Sequence, residues 1–105
     1  MKIRLRGERA PKEVRAFVRW LEDAIDVRHN VYVHLTTPLY GYFDAPGRSY
    51  GYDPYLVVLN DGKVLLSIAH EFVHYEQWRD KRDPTERGVE QRARALVKRW
   101  KKEGT

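Results

Sequence analysis

Apolar positions recur along this chain with two different periods, and the switches between them lay out its elements. Lys2 to Arg6 alternates charged and apolar residues, as an edge strand does. Pro11 opens a helical pattern in which Val14, Phe17, Val18, Leu21 and Ile25 return on one face. The pattern fades near His29-Asn30, and Val31 to Thr36 reads as a strand that Pro38 ends. Tyr40 to Asp44 reads as a further short strand, Ala45 to Ser49 as a turn, and Tyr50 to Leu59 as a strand, clearest from Tyr55 onward. Asn60-Asp61-Gly62 then turns the chain into a helix over Lys63 to Asp80, and a last apolar stripe runs through Val89, Ala93, Leu96, Val97 and Trp100. The expected order is β-α-β-β-β-α-α. This is a single small α+β domain, a twisted and mostly antiparallel sheet packed against about three helices.

The helix over Lys63 to Asp80 has two unlike faces. Val64, Leu65, Ile68, Ala69, Phe72 and Val73 fill one broad arc, as in a helix packed into a core. Ser67, His70, Glu71, His74 and Gln77 fall near the opposite side. His70-Glu71-Phe72-Val73-His74 has the form H-E-x-x-H. A four-residue step returns to nearly the same helical face, so both imidazoles converge on one point. Glu71 is rotated about 100° from His70, beside that point, where a base for a metal-activated water must stand.

Catalytic zinc takes three protein ligands and leaves a fourth position open. The chain has no cysteine, so the third ligand must be Asp, Glu or His, with Asp80, Glu86 and Glu90 downstream as candidates. Asp80 is disfavoured: a motif ending on it needs glycine where Gln77 stands, and a methionine turn that this chain lacks. Asp83-Pro84-Thr85-Glu86 reads as a helix start, with Asp83 as N-cap, Pro84 at N1 and Glu86 closing a capping box. That gives Glu86 a structural task and favours Glu90 as the third ligand, beside His70 and His74.

His70 to His74, followed on a second helix by Glu90, resembles the gluzincin metallopeptidases. Val89-Glu90-Gln91-Arg92-Ala93-Arg94 is similar to their glutamate helix, in which an alanine follows the ligand by three residues. Brevity and layout look most like the minigluzincins, soluble peptidase domains of similar size. The resemblance implies peptide-bond hydrolysis with Zn²⁺ on His70, His74 and Glu90, and Glu71 as general base and acid. It also implies latency, with the segment 101–105 blocking the cleft and Glu103 or the terminal carboxylate filling the metal's open position. Read from its residues alone, that segment is a solvated terminus. Arg94 departs from the pattern, because many relatives carry there an acidic residue that braces a zinc-bound histidine.

The remaining composition bounds the partners. A chain of 105 residues leaves little room for a second module. No stretch approaches the roughly 20 apolar residues of a membrane helix, and the first residues do not form a signal peptide, so the expected location is cytoplasmic. Charged residues make up 33%, as on the ion-pair-rich surfaces of thermophile proteins. The net charge of +5 raises a rival reading, a small basic nucleic-acid-binding protein. Arg92, Arg94, Lys98, Arg99, Lys101 and Lys102 crowd the last helix, but on several faces and interrupted by acids. A third reading is a non-catalytic domain stabilised by zinc, for which cysteine ligands and a closed site would be usual. In the peptidase reading a peptide substrate lies along a strand edge, either Val31 to Thr36 or Tyr40 to Asp44. The oxyanion donor is one of several tyrosines or histidines. Each of Tyr40, Tyr42, Tyr50, Tyr52 and Tyr55, and both His29 and His34, reads first as packing or surface.

Overall fold

The computed structural model describes residues 2–36, 42–44 and 54–103. Strand β1 (Ile3–Gly7) leads into helix α1 (Lys12–Ala24), which returns the chain to β2 (Val31–Thr36). Val14, Phe17, Val18 and Leu21 of α1 follow the helical period and are buried, so α1 covers the sheet with one stripe. β3 (Tyr42–Asp44) and β4 (Tyr55–Leu59) precede helices α2 (Val64–Arg79) and α3 (Val89–Glu103). The element order is the one the periodicities predict. The strand expected from Tyr50 is described from Tyr55, and the turn at Ala45 to Ser49 lies outside the described residues.

The sheet corrects the expectation of mostly antiparallel pairing. Its order is β1-β2-β4-β3, with β1 parallel to β2, β2 parallel to β4, and only the three-residue β3 antiparallel to β4. A parallel pair needs a crossover of about a dozen residues or more, and α1 supplies one of 13 residues between β1 and β2. The signal was present in β4, where Tyr55, Leu56, Val57 and Val58 are all buried, as in an interior strand covered on both faces. β2 is also interior, alternating buried Val31, Val33 and Leu35 with half-buried Tyr32, His34 and Thr36.

Gly7 ends β1 at φ +81°, and a Cβ there would stand 2.3 Å from the Leu35 carbonyl oxygen, so only glycine fits. Helix α2 lies against the sheet through Ile68, Ala69, Phe72 and Tyr75, each fully buried. Its far end is tied to the turn after α1. The Tyr75 hydroxyl accepts the Arg28 N–H at 3.0 Å and meets His29 Nδ1 at 2.7 Å. Arg79 donates to the carbonyls of Ile25 and Asp26. Helix α3 packs on α2 and buries Val89, Ala93, Leu96 and Trp100, the last edge-on to Phe17 of α1. Among the described residues, no helix is long and apolar enough to cross a membrane.

The start of α3 also differs from expectation. The helix begins at Val89, and Asp83 to Glu86 form no regular structure. Gly88 has φ +76°, a left-handed conformation that a right-handed helix cannot run through. The capping box read at Asp83 therefore does not form, and the carboxylate of Glu86 is free of that task.

Candidate metal centre

Two turns of α2 and the segment leading into α3 build one polar cluster. His70 and His74 stand one turn apart with ring centres 5.2 Å from each other. The Glu86 carboxylate spans both, Oε2 at 3.2 Å from His70 Nε2 and Oε1 at 2.8 Å from His74 Nε2. Ligand atoms of these three residues all lie within 4.8 Å of one another, so the group could hold a metal ion. A tetrahedral zinc with bonds of about 2.0–2.1 Å places its donors about 3.3 Å apart, close to the nitrogen–oxygen separations here.

The opposite ring nitrogens are held by other residues. His70 Nδ1 faces Glu90 Oε2 at 3.1 Å, and His74 Nδ1 faces Gln77 Oε1 at 2.9 Å. Ionised carboxylates and amide oxygens only accept hydrogen bonds. Each imidazole is thus flanked on both sides by acceptors. Without a cation, all four contacts require a proton on every ring nitrogen. One divalent ion in place of the two Nε2 protons satisfies the same acceptors and leaves both Nδ1–H donors where they are, the arrangement that orients metal-binding histidines.

Gln77 does more than face His74. Its amide nitrogen donates to the Thr85 carbonyl at 2.9 Å, and its oxygen accepts the Thr85 N–H at 3.4 Å. The side chain is buried on α2, so it fixes the segment next to Glu86. Glu76, also buried, pairs in two-pronged fashion with Arg92 at 2.9 and 3.2 Å and ties α2 to α3. Gln77 and Glu76 of α2 are thus both buried and held to the 85–92 segment by hydrogen bonds.

Glu71 is 7% exposed. Burial pushes its carboxyl above the ordinary range; the charges of His70 and His74 oppose that shift and Glu86 adds to it. The Glu90 carboxyl is held below its usual range, first by its hydrogen bond with His70 and then by Arg94, 3.4 Å away. Glu86 is 74% exposed on its side chain, against 26% for His70 and 15% for His74. The cluster therefore opens to solvent on the Glu86 side and is closed on the Glu71 side.

Of the residues singled out from sequence, the structure brings His70, His74 and Glu86 together, with Glu90 one contact further out on His70. Asp80 caps α2 and pairs with Arg79 and Arg82, outside the cluster. His29 belongs to the Tyr75 contact and His34 to β2. Tyr55 is buried on β4; Tyr40, Tyr50, Tyr52 and the side chain of Tyr42 lie outside the described residues. Glu103 closes α3, paired with Arg99 at 3.0 Å. It is about 20 Å along the helix axis from Glu90, out of reach of the cluster; residues 104–105 lie outside the described ones. The sequence pattern missed Gln77 as a partner of His74, although it stands three residues on, on the same side of the helix. Comparison with protein-family models, characterised proteins and solved structures found no match.

Proposed function

We infer that the protein is a zinc-dependent peptidase in which His70, His74 and Glu86 hold the metal, Glu90 and Gln77 orient the two histidines, and Glu71 handles the proton. The observation that carries this reading is the pairing of two Nε2 atoms on one carboxylate while both Nδ1 atoms face acceptors. It keeps the gluzincin-like reading of the helix motif and moves the ligand role from Glu90 to Glu86.

Zinc in such a site lowers the pKa of water from about 16 to near 7 and polarises a carbonyl. Glu71, kept basic by burial, takes a proton from the attacking water as the new C–O bond forms, then passes it to the nitrogen of the departing amine as the C–N bond breaks. Substrate backbone has one suitable edge of the two considered. β2 is interior and cannot accept a further strand, whereas β3 is a sheet edge among the described residues.

The rival readings have less support. Arg92, Arg94 and Arg99 of the basic helix are each paired with a glutamate, which lowers the positive field that a nucleic acid would meet. A purely structural zinc site needs no buried carboxylate such as Glu71. The test is metal analysis beside peptide hydrolysis. Wild type should bind about one zinc per chain and cleave unfolded protein substrates, and Glu71→Ala should keep the metal and lose cleavage. His74→Ala should lose both. Wild type that binds no zinc in excess metal would overturn the reading.

A further inference from the structure

A second feature lies along the same pair of helices. A cleft of about 680 Å³ opens between the start of α1, the first turn of α2 and the second half of α3. Its size falls within the roughly 300–1,000 Å³ typical of ligand sites. Pro11, Val14, Leu65, Leu66 and Val97 give it an aliphatic surface, and Lys63, Arg94, Lys98 and Lys101 line it with positive charge. Its acids among the described residues are Glu13 and Asp61, and Asp61 accepts the backbone N–H of Lys63 at 2.9 Å. Among the described residues, neither Lys63 nor Lys98 is ion-paired, so the cleft holds cations whose natural complement is an external carboxylate.

The cleft is aligned with the metal centre. Leu66 stands one turn before His70 on α2, and Glu90, Arg94, Lys98 and Lys101 follow one stripe of α3 at intervals of four, four and three residues. Arg94 belongs to both features, lining the cleft while pairing with Glu90, which in turn bonds His70. We propose that this cleft is a specificity site for acidic peptides, receiving a glutamate or aspartate flanked by aliphatic residues. The substrate role rests on the peptidase reading above. Lys98 lies about 12 Å along α3 from Glu90, and an extended peptide advances about 3.3 Å per residue. The favoured acid therefore sits about three or four residues from the bond that is cut. Among the described residues no lining residue is aromatic, so these residues offer no face on which a nucleobase stacks.

The experiment uses a family of fluorescein-labelled decapeptides rich in Val and Leu, with one glutamate walked through every position and a glutamine twin of each. Binding is read by anisotropy with zinc and with EDTA. A peptide with glutamate at the favoured position should bind about threefold to tenfold tighter than its twin, with or without metal. Lys63→Glu and Lys98→Glu, both at exposed positions, should each erase that difference. Lys2→Glu, which makes the same charge change on the exposed start of the chain, should preserve it. Equal affinity of all twins, or equal loss in Lys2→Glu, would overturn the proposal. Tighter binding of an oligothymidine, lost in Lys98→Glu, would overturn it in favour of a nucleic acid. Selective binding by protein that takes up no zinc and cleaves none of the peptides would uphold the anion site and sink the peptidase reading alone.

Discussion

Gln77 and His74 face each other at 2.9 Å, the amide oxygen of one accepting from Nδ1 of the other, while the same amide holds Thr85 beside Glu86. One buried side chain thus sets the orientation of a histidine and the position of the carboxylate opposite it. A glycine there would leave both to chance.

Loss of that amide should show in metal affinity before it shows in folding. Gln77→Ala is expected to weaken zinc binding about 10- to 100-fold, the usual cost of removing an outer partner. Gln77→Glu should recover part of it, because a carboxylate still accepts from Nδ1 but cannot donate to the Thr85 carbonyl. Competition titration against a chromophoric chelator measures both. Equal affinities in all three proteins would remove Gln77 from the site.

The helices were legible because each has a stripe only a helix can bury, such as Val14, Phe17, Val18 and Leu21. His70, Glu71 and His74 were legible because a four-residue step fixes where two side chains meet. Strand direction was not, since alternation in β2 is the same whichever way its neighbour runs; only the unbroken apolar run of β4 pointed to an interior, parallel place. The structure favours Glu86 over Glu90 beside the two histidines for a local reason. Asp83 to Glu86 is a good helix start, but Gly88 in a left-handed conformation prevents that helix and frees Glu86. Gln77 had no distinguishing pattern, because its role depends on a segment eight residues away.

Glu86 and Glu90 should separate in metal content. Glu86→Ala removes the proposed ligand and is expected to leave the protein with little zinc after dialysis. Glu90→Ala removes the acceptor from His70 Nδ1 and should keep the metal with affinity lowered about 10- to 100-fold. Inductively coupled plasma analysis of the two variants reads the difference directly. The opposite ranking would return the ligand role to Glu90.

In the proposed peptidase, Glu71 would link activity to the stability of the metal-free protein. Its carboxyl is raised above the ordinary value of 4.5, chiefly by burial. It binds a proton more tightly folded than unfolded, so its contribution favours the fold at low pH and is lost as pH rises through the raised value. In EDTA at neutral pH, Glu71→Gln should therefore melt at a higher temperature than wild type, and the gap should close below about pH 4. The same variant should lose about 10²- to 10⁴-fold in peptide hydrolysis with zinc content unchanged. A lower melting temperature at neutral pH would show that Glu71 is stabilised rather than strained by its surroundings.

Gly88 controls how the chain passes from one carboxylate to the other. A Cβ at this position meets nothing within 4 Å, so substitution costs only the backbone conformation at φ +76°. Gly88→Ala should destabilise the protein by about 1–2 kcal/mol, and Gly88→Asn by less, since asparagine tolerates this region better. Chemical denaturation gives both values. If the alanine variant relieves its strain by extending α3 toward Glu86, that carboxylate swings away from the two Nε2 atoms and zinc affinity falls along with stability. The asparagine variant, keeping the left-handed turn, should bind zinc like wild type. Full zinc affinity in Gly88→Ala at reduced stability would mean that the backbone holds its strained shape and that Glu86 is placed by Gln77 alone.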